Sequence, residues 1–179
     1  MSDEFRQFLQ TSKRLRGGIK ELLQGLFVAE LLSPSKHLWL VSPWITDIDV
    51  IDPTSGSFPA INPERDGVFA RLTSVLARLQ EFDTDVTVVT RPGDSSSFLR
   101  MLESKSPQQP SGSLRGLRIV ERKELHAKGL LGDDYCLSGS MNFSYSGMNK
   151  WDEALTFHTK RDVIAELRLE FEHEYGRRT

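Results

Sequence analysis

Apolar positions recur at helical spacing from Gly18 to Leu32, where Ile19, Leu22, Leu23, Leu26, Phe27 and Leu31 mark one stripe. Ser33-Pro34-Ser35 ends that stripe. A second stripe, Phe69, Leu72, Val75, Leu76 and Leu79, predicts a helix over 68–82. A third, Val163, Leu167, Phe171 and Tyr175, predicts a last helix over 163–175 capped by Asp162. Between them lie apolar runs too short for helices. HLWLVSPWIT (37–46) reads as a buried strand finishing at Ser42, because Pro43 has no N–H to give to a ladder. The β-branched run DVTVVT (85–90) is a strand, as are 117–120, 125–131, 135–138 and 154–157. A brief helix is expected over 97–103, and two Pro-, Gly- and Ser-rich loops over 52–67 and 104–113.

Helices separate the early strands, whereas the later strands follow one another closely. That arrangement predicts one α/β domain spanning 1–179, a mixed β-sheet flanked by helices. The length of 179 residues suffices for a sizeable core. No run reaches the roughly 18 apolar residues of a membrane span, and MSDEFRQFLQ lacks the basic-then-apolar order of a secretory signal. One cysteine, Cys136, excludes an internal disulfide and is read as a core residue in a reducing, cytoplasmic setting. A net charge of −2 excludes a polybasic nucleic-acid binder, although Lys13, Arg14, Arg16 and Lys20, and then Arg115, Arg118, Arg122 and Lys123, form local basic clusters. Trp39, Trp44 and Trp151 read as packing residues, with Trp44 and Trp151 candidates for the border of a pocket.

HAKGLLGDDYCLSGSMN (126–142) holds the candidate chemistry. In a strand, residues i and i+2 point the same way, so His126 and Lys128 would share a face, with the small Ala127 and Gly129 on the other. Pairing of the two strands as a hairpin would return the loop after Ser138 towards His126 and Lys128, bringing Asn142 with it. An imidazole can attack phosphorus, while an ammonium and an amide offset the charge growing on its non-bridging oxygens. That set calls for no metal and no other cofactor. No cysteine pair is present, and His37, His158 and His173 have no metal-ligand spacing to His126. Taken singly, each of these residues has a plain structural reading: a satisfied strand histidine, a Gly-Ser turn, a solvated glutamate. Together they form a pattern.

The pattern resembles the phospholipase D superfamily, whose signature is His-x-Lys, four residues, Asp, then Gly-Ser-x-Asn and a downstream Glu. The matching positions are His126, Lys128, Asp133, Gly139, Ser140, Asn142 and Glu153, and Ser42-Pro43-Trp44 is similar to the step ending the family's first strand. Five residues rather than six separate Asp133 from Gly139, which leaves Asp133 and Asp134 as alternatives for the motif aspartate.

The resemblance implies a phospholipase D-like α/β sandwich and a phosphohistidine mechanism needing two histidines. One motif per chain then implies a homodimer with a single composite site holding two copies each of His126, Lys128 and Asn142. Glu153 would orient or polarise a histidine, Ser140 would complete the turn, and Asp133 would act from behind. Small single-motif relatives imply a metal-independent nuclease, on DNA before RNA, in bacterial defence or restriction systems beside a helicase or ATPase partner. A phospholipid phosphodiesterase and a non-catalytic dimeric module that binds nucleic acid or a partner are the alternatives. No amphipathic, Lys- and aromatic-rich helix favours a membrane.

Overall fold

The structure, a computed structural model, describes residues 5–10, 13–52, 69–110 and 114–176. The expected loop over 52–67 therefore lies, Asp52 apart, outside the described residues, as do the side chains of Lys13, Arg14 and Arg16.

Two strands set the centre. β2 (His37–Val41) and β5 (Asp85–Thr90) are buried on both faces, which is why their sequences are continuous apolar or β-branched runs. They pair in parallel, and β5 pairs in parallel with β6 (Leu117–Glu121). Helix α1 (Lys13–Leu32) precedes β2, α2 (Leu72–Glu81) joins β2 to β5, and α3 (Ser96–Lys105) joins β5 to β6. Long crossovers of this kind are what parallel neighbours need. Beyond β2 the sheet turns antiparallel: β7 (Gly129–Leu131), β8 (Cys136–Gly139), β9 (Glu153–His158) and β1 (Phe5–Gln10) follow in that order. The result is a mixed seven-stranded sheet, β1-β9-β8-β7-β2-β5-β6, with a separate two-stranded piece, β3 (Asp49–Ile51) and β4 (Ala70–Arg71).

One face of the sheet packs against α1, α2 and α3 through Ile19, Leu23, Phe27, Leu76, Phe98 and Leu102. The other face, through Trp39, Val41, Val89 and Leu131, receives α5 (Arg161–Tyr175) through Ile164, Leu167 and Phe171. The expected α/β sandwich is therefore present. Cys136 is fully buried in this second layer, and burial pushes its thiol up to about 12, which leaves it inert as a nucleophile.

Several expected boundaries move. β1 was not legible in an N-terminal segment without alternation. The helix expected from residue 68 starts at Leu72, because residues 70–71 pair with β3, and Phe69 is exposed instead of lying on the stripe. The strand expected from Leu125 begins only at Gly129. Lys160, not Asp162, stands at the N-cap of α5; Asp162 lies in the first turn, where its carboxylate bonds the Val163 N–H and pairs with Lys160 at 3.1 Å.

One polar bracket fastens the end of the sheet where β7 turns into β8. Glu30, 2% exposed at the end of α1, accepts hydrogen bonds from Ser35 N (2.9 Å) and Ser35 Oγ (2.7 Å). Ser35 Oγ in turn accepts from Asp133 N at 2.9 Å. Asp133 Oδ2 accepts from Lys36 N at 2.8 Å, and Oδ1 pairs with Arg168 of α5 at 3.1 Å. Any Cβ at Gly132 would come within 2.8 Å of the Tyr135, Glu30 and Ser35 side chains, so a larger residue there would have to displace the bracket.

Candidate functional site

At the opposite end of the same strands, the chain leaves β2 and β5, enters β7, leaves β8 and enters β9. The register Val41↔Gly129 places Ser42 beside Lys128, and Gly129↔Ser138 brings the loop after β8 to the same place. Gly139 N donates to the Lys128 carbonyl at 3.3 Å. The hairpin return expected from the sequence is thus the observed one.

His126 and Lys128 lie just before β7, outside any strand, so their shared side is not set by pleating. Lys128 Nζ reaches back to donate to the His126 carbonyl at 2.6 Å and sits 3.0 Å from His126 Nδ1. His126 is exposed, whereas Lys128 is half-buried. Burial holds the Lys128 ammonium below the ordinary lysine range; Glu153 opposes this and Arg91 adds to it. Behind the pair, Gly129 lets α5 pack closely, as expected: a Cβ there would meet Leu137 O tightly at 3.2 Å and touch Phe171 of α5 at 3.6 Å. Ala127 is exposed and packs nothing closely.

Gly139 and Ser140 make the next corner. Gly139 has φ +156°, and a Cβ on it would stand 2.0 Å from the Ala154 carbonyl oxygen. That closeness lets Ser140 N donate to Ala154 O, and Ala154 N donate to Ser140 Oγ, each at 3.0 Å. The Ser140 hydroxyl donates to the Glu153 carboxylate. Glu153 is therefore fixed by Ser140 and acts on Lys128 through its charge; within one chain it makes no hydrogen bond to His126, whose ring faces Lys128 instead.

Asn142 follows on the loop before α4 (Tyr145–Asn149). The buried Ser42 hydroxyl lies 2.8 Å from the Trp44 carbonyl and 3.2 Å from Asn142 Oδ1, and accepts from Phe143 N at 3.2 Å. The hydroxyl has one proton, which the shorter contact gives to the Trp44 carbonyl, and the Asn142 amide beside it carries both a donor and an acceptor. Ser42-Pro43-Trp44 thus ties the first strand to the motif.

Asp133 belongs elsewhere. It is a residue of the bracket at the far end of β7, where Lys36 and Arg168 hold it, and it is not brought to His126. Between the two alternatives, Asp133 makes these bonds, and Asp134 is exposed beside it. The basic cluster before the motif is also employed structurally: Arg115 pairs with Asp83, and Arg118 and Arg122 donate to the Tyr175 and Glu174 carbonyls at the end of α5.

Arg91 was missed in the sequence. It follows β5, its Nε donates to the Leu125 carbonyl at 2.9 Å, and its guanidinium stands 5.3 Å from the Trp44 ring centroid. Only the pairing of β5 with β2 brings it here; a lone Arg-Pro-Gly turn carries no signal of that. Among the described residues, no group of three or more His, Cys, Asp or Glu side chains is arranged to hold a metal ion. No helix among them is long and apolar enough to cross a membrane.

The arrangement gathers an imidazole, an ammonium and an amide along one open end of the sheet, groups whose chemistry suits a phosphoryl group. The comparisons agree with this reading of the fold. NucT from Helicobacter pylori superposes with a TM-score of 0.58 at 11% identity, covering 95% of each chain. Nuc from Salmonella typhimurium, described as a phospholipase D family member, gives 0.57 at 13% identity over 96% of this chain and 93% of that one. A polyphosphate kinase from Porphyromonas gingivalis gives 0.59 at 15% identity over 96% of this chain but 25% of its own. No curated protein matches the sequence. The family described as "Cardiolipin synthase, PLD-like domain" matches residues 67–175, well over half of the chain and all of the motif from His126 to Glu153. The chain belongs to the phospholipase D superfamily of phosphodiesterases.

Proposed function

We propose that the protein is a metal-independent nuclease acting on DNA through a phosphohistidine, at one site shared by two copies of the chain. The observation that carries this is the His126–Lys128 pair, 3.0 Å apart and open to solvent at the end of the sheet where Asn142, Ser140 and Glu153 also gather. One chain supplies one such imidazole, and double displacement at phosphorus uses two.

In the proposed reaction the incoming phosphodiester draws the Lys128 ammonium onto its non-bridging oxygens. That frees His126 Nδ1 to carry the ring proton and leaves Nε2 as the attacking lone pair. A P–N bond forms as the bond to the leaving oxygen breaks, and the partner subunit's His126 gives that oxygen its proton. The same partner ring then takes a proton from water, whose oxygen displaces the first imidazole from phosphorus. Asn142 and Lys128 offset the charge in both steps. The correspondence of fold with Nuc and NucT supports a catalytic unit of this kind. The defence setting and the helicase or ATPase partner rest on the resemblance of the sequence alone.

The test is cleavage of single- and double-stranded DNA by the purified chain in EDTA. Cleavage is expected to persist, and His126→Ala to reduce it by at least about 10³-fold. The family description keeps a phospholipid reading in view: hydrolysis of phospholipid vesicles without DNA cleavage would replace the nuclease by a lipid phosphodiesterase. Binding with no turnover on DNA, RNA or lipid would make the chain a non-catalytic module.

A further inference from the structure

Trp44 is 47% exposed, an unusual position for so large a ring unless something covers it. It is nevertheless held firmly. The Arg91 guanidinium stands 5.3 Å from its centroid, and the Arg91 backbone N–H donates to the Pro43 carbonyl at 3.4 Å. Thr90 Oγ1 donates to the same carbonyl at 3.0 Å, and the Ser42 hydroxyl holds the Trp44 carbonyl at 2.8 Å. The ring and cation are bolted to both halves of the motif, because Ser42 Oγ also accepts from the N–H of Phe143, next to Asn142, and Arg91 Nε bonds the carbonyl preceding His126. Nε is the nitrogen used in that bond, which leaves the terminal nitrogens of the fork to address an anion. A second ring-and-cation pair lies nearby in the fold, though far off in sequence: Tyr145, 61% exposed, has Lys150 Nζ 5.8 Å from its centroid, and its backbone N–H bonds Thr46, two residues after Trp44.

We infer that Trp44 and Arg91 form a shelf beside the catalytic pair that stacks an unpaired base and holds its neighbouring phosphate, so that the site takes single-stranded nucleic acid in preference to duplex. This deepens the nuclease reading and rests on it. A planar ring next to a cation, continuous with a phosphate-handling site, complements a unit that carries a flat base and a phosphate together. A phospholipid headgroup offers the phosphate without the ring. In a duplex the bases are already stacked on each other, so the exposed indole has nothing to receive. Stacking of this kind tolerates any base, and each stacked base contributes enough that its loss is readily measured.

The test uses the full chain carrying His126→Ala, so that strands survive, and fluorescence anisotropy with three labelled probes. These are a single strand, the corresponding duplex, and a strand of the same length built from base-free tetrahydrofuran units. Adding Trp44→Ala is expected to weaken single-strand binding roughly tenfold. Binding of the duplex and of the base-free strand should stay unchanged, and Trp44→Phe should restore most of the loss. An unchanged single-strand affinity overturns the shelf, and so does an equal loss on all three probes. A loss explained by dissociation of the chain into monomers in sedimentation overturns it too. Cleavage by the chain with His126 intact separates the two readings. If the unaltered chain cuts DNA while Trp44→Ala leaves the single-strand affinity unchanged, the shelf alone fails. If no strand is cut by the unaltered chain, the nuclease reading fails first.

Discussion

Lys128 shows how much of this site depends on charges that only folding brings together. Burial lowers its affinity for a proton, Arg91 adds to that, and Glu153 works against it. The role proposed for it requires the ammonium form, so activity should fall as pH rises through its depressed pKa, earlier than an ordinary lysine would allow. The signs for its neighbours then follow. Glu153→Gln removes the charge that favours the ammonium, and the alkaline limb of the kcat/KM profile should move to lower pH. Arg91→Gln removes a repelling charge, and the same limb should move to higher pH. Shifts of opposite direction in the two variants identify Lys128 as the titrating group; a common direction would assign the limb to another residue. Of the residues involved, the sequence pattern marked Lys128 and Glu153 but not Arg91, whose place depends on strand neighbours and not on any motif.

At the scale of elements, the two ends of the β7–β8 hairpin have separate duties. The far end is a fastening, where Asp133, Ser35, Glu30 and Arg168 join α1, the β2 entry, the hairpin turn and α5. Asp133→Ala breaks this bracket and leaves the Lys36 N–H without its acceptor. A loss of about 1–3 kcal/mol in urea unfolding is expected, with kcat/KM of the folded fraction near that of the unaltered chain. A collapse of kcat/KM at full stability would return Asp133 to the chemistry. The near end is a corner set by Gly139. A Cβ there would meet a backbone oxygen at 2.0 Å, a clash that neither strand can relieve without moving Ser140 or Glu153. Gly139→Ala should therefore cost at least about 2 kcal/mol of stability in the same titration and reduce activity as well. The spacing of the sequence motif combined these two ends into one signature, although the fold places them at opposite ends of the strand.

For the molecule as a whole, the exposure of His126 and Ser140 argues for a second copy as the missing wall of the site. Sedimentation should show a dimer. Mixed dimers provide a sharper measurement: when unaltered and His126→Ala chains are unfolded together and refolded in equal amounts, activity should drop to about one quarter, because only dimers with two intact imidazoles turn over. A drop to one half would mean that each chain works alone. The acidic net charge of −2 fits this picture of a local, built-in phosphate site better than a broadly basic surface, since the arginines before the motif are spent on Asp83 and on the end of α5.

What the sequence determined by itself was whatever is written locally. The stripes of α1, α2 and α5, the short β-branched run of β5, the Pro43 stop and the motif residues are all read over a few positions, because periodicity and backbone chemistry act over a few positions. The tertiary structure decided which strands are neighbours and at what register. That pairing seated β1 on β9, set Arg91 beside Trp44 and the carbonyl before His126, sent Asp133 to the opposite end, and let Lys128 turn back on His126 outside any strand. Those outcomes depend on residues up to about 150 positions apart coming together in one sheet, and no window along the chain contains that choice.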